Sequence, residues 1–306
     1  MNADKALSLF LNSYRGAKAP ATVTWYHSKL SPLITHLAAT PIEDVTSFDL
    51  DAWRAGLSQE AAMQQNTLRG YGRAAKTFFR WLKKKRIIEH DPSADFELPA
   101  YVRVPREGLS EEDRDRLFYA ARDNPRDLAI MRFLADTGCR VGGIASLTID
   151  RLYLKIHRAL VKEKGRGGQN KYRTVFFGDE TAHALAVYLV NRPSGSSHPQ
   201  VFLETAKGGR AHLKEQTLPM STNAIYHMLK RYAEPLNIPL ANPHNWRHGF
   251  ARGCTKRGIP LQTLAQLLGH SSVQVTADIY GTLDPDQLQQ MHETYTWLSQ
   301  AHTLSI

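Results

Sequence analysis

The chain has 306 residues, with 39 Lys+Arg against 29 Asp+Glu, a formal net charge of +10 and a pI near 9.6. That length accommodates two domains with separate cores. Residues 1–105 carry 14 basic against 10 acidic side chains and the remainder 25 against 19, so both halves suit contact with one polyanion. Two cysteines exclude a disulfide framework, no apolar run reaches the length of a membrane span, and the start lacks a signal peptide, so a soluble, cytoplasmic protein is expected.

Residues 1–100 read as a helical domain. Ala6, Leu7, Phe10 and Leu11 have helical spacing; a second helix starts at Thr22 or Thr24 and runs toward Leu37, with Pro32 expected to kink or break it; a shorter one spans Ser47 to Leu57. The next runs from Thr67 to about Lys85 behind an Asn66 cap. Leu68, Tyr71, Ala75, Phe78, Phe79 and Leu82 form its core-facing stripe, while Arg69, Arg73, Lys76, Arg80 and Lys83 form a second stripe that no acid interrupts. Solvated faces normally mix signs to gain i,i+4 pairs, so this one reads as a DNA-binding face.

After Asp91-Pro92, the prolines at 99 and 105 mark a linker, placed at 101–108 within the wider span 98–108. A second domain, 109–306, opens with a cap at Ser110 followed by Asp113. A helix from Leu128 to Asp136 ends in Thr137-Gly138-Cys139-Arg140-Val141-Gly142-Gly143. Residues 151–177 are the convincing β region, where Ala159–Glu163 and Arg173–Phe177 flank a glycine-rich hairpin tip holding Lys164 and Lys171. A helix over Asp179–Val190, a strand candidate Val201-Phe202-Leu203 and a Ser221-capped helix follow.

Asn242-Pro243 is a helix start, and His244 and Arg247 then fall at i and i+3 in the first turns, where free N–H groups favour an anion. A short helix, Leu261 to Leu268, closes at Gly269-His270, and Tyr280 comes ten residues later. Taken singly, such a tyrosine is more often core or interface, and a histidine after glycine often caps the next helix. His244, His248 and His270 do not make a zinc set: Asn245 stands where a metalloprotease helix carries its Glu, and neither Cys nor carboxylate completes the ligands. Neither metal nor cofactor is expected. In the tail, Asp284, Pro285 and Gln287 start a helix over 284–299 whose Leu288, Met291, Tyr295 and Leu298 form an apolar stripe. From Gly258 onward there is no Lys or Arg, so a protein surface suits this helix better than DNA, with packing on its own domain as the alternative.

The order His244-x-x-Arg247-His248, Leu267-Leu268-Gly269-His270, Tyr280 resembles the catalytic block of the tyrosine site-specific recombinases and phage-type integrases, the Xer-like enzymes among them. Arg140 resembles the family's first arginine, and Lys164-Gly165 with Lys171-Tyr172-Arg173 its lysine hairpin. The chain departs from the pattern at Gly143, where the family commonly has Glu, which leaves the orientation of the arginine to other groups. It departs again at Trp246 and Gly249, which read as packing variation. The resemblance implies a mainly α fold with a small β-sheet: a helical, SAM-like core-binding domain followed by an α+β catalytic domain.

The activity implied is metal- and ATP-independent DNA recombination or integration. Tyr280 attacks a phosphodiester to give a 3′-phosphotyrosyl intermediate; Arg140 and Arg247 hold the phosphate; His244 is base or phosphate donor, His270 a phosphate donor, and Lys164 the acid, with Lys171 its rival. Two planar, always-charged guanidiniums suit a transition state whose non-bridging oxygens gain negative charge. The implied partners are double-stranded DNA with paired half-sites and further copies of the chain, a tetramer in the synapse joined through the C-terminal helix. A type IB topoisomerase and a non-catalytic DNA-binding relative are the alternatives. Relaxation of supercoiled DNA lacking a target would mark the first, and failure to trap a covalent adduct the second.

Overall fold

The computed structural model describes residues 1–60, 63–102, 108–164, 170–193, 196–205, 217–239, 241–281, 288–289 and 292–293. The described residues form two compact units, the first within Met1–Val104 and the second within Pro105–Ile306.

In the first unit, α1 (Ala3–Tyr14) begins at Asn2, whose side chain accepts from the Lys5 N–H, and buries Ala6, Leu7, Phe10 and Leu11. The second helix, α2, spans Pro20–His36, earlier than either threonine start, because Pro20 provides the fixed φ of a first helical position. Pro32 neither breaks nor ends it. The N–H that proline lacks would have served the carbonyl of Ser28, an exposed residue that water can reach, while buried Leu30, Leu33 and Ile34 hold the turns around it. After α3 (Ser47–Glu60), α4 (Gln65–Lys84) lays Ala74, Ala75, Phe78, Phe79 and Leu82 into the core. There Phe10 meets Tyr26, Phe78 and Trp81 edge-on at ring separations of 5.2, 5.4 and 5.5 Å.

Asn66 does not cap α4, which starts behind Gln64. Its side-chain amide pairs instead with the backbone of Val102, donating at 2.7 Å to the carbonyl and accepting at 3.0 Å from the N–H. Further along the helix, Arg69 donates to the Pro99 carbonyl at 2.6 Å, and Lys76 to those of Phe96 and Ala94 at 2.7 and 3.2 Å. Between them Gly72 leaves room for Leu98, whose Cδ2 lies 2.6 Å from where a Cβ would stand. Part of the expected linker is thereby laid along α4. The basic stripe divides: Arg69 and Lys76 grip this segment, whereas Arg73, Arg80 and Lys83 are exposed.

The second unit is organised around α6 (Pro125–Thr137), which follows α5 (Glu111–Ala120) and buries Ala129, Ile130, Met131, Phe133 and Leu134. Ser110 caps α5 by accepting from the Asp113 N–H at 3.0 Å. Asn124 and Pro125 start α6 a turn earlier than its apolar run indicates. Buried Asp127 pairs with its neighbour Arg126 at 2.7 Å and ties α6 to a later helix through Arg231 and the Tyr232 hydroxyl at 3.1 and 3.2 Å. After α7 (Val141–Ala145), the strands β1 (Leu152–Tyr153), β2 (Arg158–Lys164) and β3 (Asn170–Phe176) form an antiparallel sheet in that order. Its Ala159, Val161 and Val175 face the core.

The helix α8 (Asp179–Val190) agrees with its sequence limits. A second, two-stranded sheet joins β4 (Leu203–Thr205) to β5 (Thr217–Pro219), so β structure extends beyond 151–177; Val201 and Phe202 are buried just ahead of it. Then come α9 (Thr222–Ala233), capped by Ser221, α10 (Pro243–Lys256), α11 (Leu261–Leu268) and α12 (Val273–Tyr280). The expected tail helix falls mostly outside the described residues. Of it, Leu288, Gln289, His292 and Glu293 are helical, and the Gln289 amide donates to Glu293 at 2.9 Å. No helix among the described residues is long and apolar enough to cross a membrane.

Candidate active site

Asn242 accepts from the N–H groups of His244 and Asn245 at 3.0 and 3.1 Å, and Pro243 takes the first helical position, so α10 starts as its sequence requires. His244 is exposed in that first turn, whereas Arg247 is buried, at 3% exposure. The Arg247 guanidinium donates to the Gly138 carbonyl at 2.8 Å and the Leu268 carbonyl at 2.7 Å. Both acceptors lie at helix C-termini, where the dipole favours a cation. Each follows from a left-handed glycine: Gly138 ends α6 at φ +55° and Gly269 ends α11 at φ +68°. A Cβ at Gly138 would also stand 2.3 Å from the Phe250 ring.

Arg140 leads into α7, with its side chain 42% exposed, and donates to Glu163 Oε2 at 2.5 Å. Arg173, on the neighbouring strand, donates through Nε to Glu163 Oε1 at 3.1 Å and through Nη1 to the Leu267 carbonyl. Three guanidiniums and one carboxylate thus share the site. Burial, then Arg140 and Arg173, lowers the Arg247 pKa to about 10, which leaves it charged at neutral pH. The adjoining Cys139 thiol is driven by burial up to about 11 and stays protonated.

His270 shares a hydrogen bond of 2.8 Å between its Nδ1 and the hydroxyl of Thr276, which is fully buried on α12. Burial first, then Arg247 and Arg140, depresses its pKa to about 4, so the ring is neutral at neutral pH. A Thr276 hydroxyl that donates to Nδ1 leaves the Nε2–H as a donor for an anion. Tyr280, at 5% exposure, holds its phenol oxygen 2.5 Å from Nδ1 of His248, whose ring centre lies 4.8 Å from that of His244.

Arg140, Arg247, His270 and Tyr280 are therefore brought together in the second unit, with His244 reaching the group through His248. Lys164 pairs through its backbone with Asn170 at the end of the hairpin, whose tip at 165–169 is outside the described residues. Lys171 is exposed and lies opposite Glu163, and directly paired residues share a face of the sheet, so it stands on the side of Glu163 and Arg173. Trp246 fills the core beneath α10, donating to the Ala241 carbonyl at 3.0 Å, and Gly249 admits Leu109, whose carbonyl would lie 2.6 Å from a Cβ there. The basic residues of α4 belong to the first unit. Sequence reasoning missed Glu163, Arg173 and Thr276 as members of the site and gave His248 no role in it. For Arg173 a signal exists, its place at the end of the Lys171-Tyr172-Arg173 run that opens the return strand.

The phage integrase family matches residues 107–287, more than half of the chain. The tyrosine recombinase XerD of Pasteurella multocida is 29% identical over 307 residues, which is 95% of this chain and 98% of that protein. The tyrosine recombinase XerC of Corynebacterium efficiens is 30% identical over 266 residues, 85% of this chain and 80% of that one. In fold, the Tn1549 transposon integrase in complex with a circular intermediate DNA aligns with a TM-score of 0.75 at 17% identity, over 96% of this chain and 99% of the other.

The neutral His270 has a measurable signature. Its folded pKa lies below that of the unfolded chain, which takes up a proton that the folded protein refuses until the pH nears 4. Stability should therefore fall as pH drops from about 6.5 toward 4, and be insensitive to this group above that window. In an NMR titration the His270 ring should turn over near 4. A midpoint in the ordinary histidine range would show that burial and the arginines do not hold it neutral.

Proposed function

The chain belongs to the phage integrase family and is a site-specific DNA recombinase that breaks and rejoins strands; we propose that Tyr280 is its nucleophile and that the arginine cluster holds the phosphate under attack. The observation that carries this reading is the convergence within one unit of a phenol, a hydrogen-bonded imidazole and three guanidiniums: Tyr280 meets His248 at 2.5 Å and lies close enough to Arg247 to act on it electrostatically.

In the first step the phenol oxygen bonds to phosphorus, its proton passes to an imidazole, and the 5′-oxygen leaves with a proton from an acid. A 5′-hydroxyl of a partner duplex reverses the step, so the bond energy is kept in the phosphotyrosine. His248 lies within reach of the phenol, and the exposed His244 beside it takes the phosphate. Arg140 and Arg247 neutralise the non-bridging oxygens, where one preorganised donor is worth about 3–4 kcal/mol, and neutral His270 adds its Nε2–H. Lys164 is the acid of this scheme and Lys171 its rival. The substrate is double-stranded DNA with paired half-sites, bound also by Arg73, Arg80 and Lys83 in the first unit. Four protomers, linked through helix 284–299, make the exchanging complex, and it acts in the cytoplasm.

Tyr280→Phe should bind target DNA as the parent does and form no covalent adduct; an undiminished adduct would remove Tyr280 from the chemistry. Lys164→Ala should slow cleavage of an ordinary 5′-oxygen strongly and that of a 5′-thiol leaving group little, because a thiolate leaves without a proton. The same contrast seen for Lys171→Ala, and missing from Lys164→Ala, would transfer the role.

Arg73→Ala with Arg80→Ala should weaken binding and reduce the slope of log K against log salt by about 0.9 for each phosphate that is no longer neutralised. An unchanged slope would make those residues a solvated face.

Removing residues 284–306 should spare binding of one protomer to a half-site and abolish cooperative filling of the pair, read by gel shift. Intact cooperativity would place the tail in local packing.

A further inference from the structure

Glu163 is a buried carboxylate that the reaction does not call for. It sits on β2 two residues beyond buried Val161, its side chain is 7% exposed, and each oxygen serves a different guanidinium, Oε2 that of Arg140 and Oε1 that of Arg173. An ionised carboxylate is kept out of water only where its partners are close and well aligned. Arg140 presents the opposite problem. Its side chain is long, 42% exposed and rich in rotamers, yet its head must meet a phosphate in one orientation. Among the described residues, Glu163 is the carboxylate that holds it.

The packing of α7 shows why this carboxylate comes from a strand. Gly143 is three residues beyond Arg140, and a Cβ there would lie 3.2 Å from the Val161 Cβ and 3.5 Å from the Lys162 carbonyl. The helix therefore rests its bare backbone on β2. From the other side the C-cap of α11 closes over the pair: a Cβ at Gly269 would stand 2.6 Å from Arg173 Nε and 3.0 Å from Glu163 Oε2. Arg173 in turn reaches the Leu267 carbonyl, next to the Leu268 carbonyl that holds Arg247. One chain of contacts runs from Arg140 through Glu163 and Arg173 to the end of α11 and Arg247.

We propose that Glu163 is the positioning residue of this active site, a strand-borne carboxylate that fixes Arg140 for the scissile phosphate and offsets the repulsion among the three arginines. It acts through Arg140 and touches no substrate; the proposal rests on the reading of Arg140 as a phosphate-holding residue. The Arg140 contact with Glu163 engages one of the five N–H groups of the guanidinium, and the exposed side of the fork faces solvent, where phosphate oxygens can be received.

Glu163→Gln keeps the shape and removes the charge. With half-sites carrying a nick that traps the adduct, it should bind with an affinity within about threefold of the parent and form the phosphotyrosyl bond about 100-fold more slowly. Glu163→Asp, which keeps the charge one methylene short, should fall between. Replacing a non-bridging oxygen of the scissile phosphate by a methyl group removes the charge that Arg140 serves, so the defects of Glu163→Gln and Arg140→Ala should both shrink on that substrate. The double variant should be no slower than Arg140→Ala alone, since a residue acting through another adds nothing once that one is gone.

Multiplying losses in the double variant, an undiminished defect of Glu163→Gln on the neutral phosphate, or a parental rate for Glu163→Gln beside a crippled Arg140→Ala would each overturn the proposal and leave the reading of Arg140 standing. A parental rate for Arg140→Ala would overturn that reading and the proposal together.

Discussion

Three guanidiniums in one site repel one another, and the catalytic unit is built to offset that repulsion. Like charges about 5 Å apart cost on the order of 3 kcal/mol at an effective dielectric of 20. The counterweights are one carboxylate, Glu163, and the carbonyl ends of two helices: Gly138 for Arg247, Leu268 for Arg247 and Leu267 for Arg173. None of these acceptors is consumed when an anion arrives. The site is thus assembled around a deficit of negative charge that a phosphodiester can fill, and burial, reinforced by Arg247 and Arg140, keeps His270 neutral so that it offers one hydrogen bond without adding another charge.

This arrangement asks for particular backbone. A helix can offer its last carbonyls to a side chain only if the chain turns away at once, and the left-handed glycines at 138 and 269 make that turn. Strand β3 brings Arg173 beside Glu163 because its register places Arg173 opposite Val161 and Lys171 opposite Glu163, on the face that carries the core. A slip of β3 by one residue would turn Arg173 to the opposite face and part it from Glu163. Helix α12 then carries Thr276 and Tyr280 four residues apart, so one helical face sets the ring of His270 and presents the Tyr280 phenol to His248.

Much of this is legible in the chain. Asn242-Pro243 starts its helix as its residue types require, Gly269 closes α11, and Arg140, Arg247, His270 and Tyr280 stand at spacings that local structure turns into proximity. Glu163 is hidden because its contact with Arg140 spans 23 residues and depends on how a short helix lies on a strand, which no periodicity records. Thr276 reads as an ordinary helical residue. Asn66 looks like a cap because its type suits one, but the competing backbone of Val102 is far away in sequence. Pro32 is overruled by its neighbours, since packing of Leu30, Leu33 and Ile34 outweighs one missing hydrogen bond on the wet side of α2. The strand candidate Val201-Phe202-Leu203 meets β4 only at Leu203 and β5 goes unread, because strands of three residues carry too little pattern to be placed.

The fit of residues 94–102 along α4 bears on how the protein can be divided. Composition alone would place the cut near Leu98, where the helical pattern stops. A fragment ending there would keep the Lys76 contacts to Ala94 and Phe96, but would deprive Arg69 of the Pro99 carbonyl and Asn66 of both backbone groups of Val102. Its α4 would expose polar heads shaped for a segment that had been cut away, an open template for any extended chain nearby. Carrying the fragment through Val102 retains that segment, so the first unit ends by its hydrogen bonds a few residues later than it does by its apolar pattern.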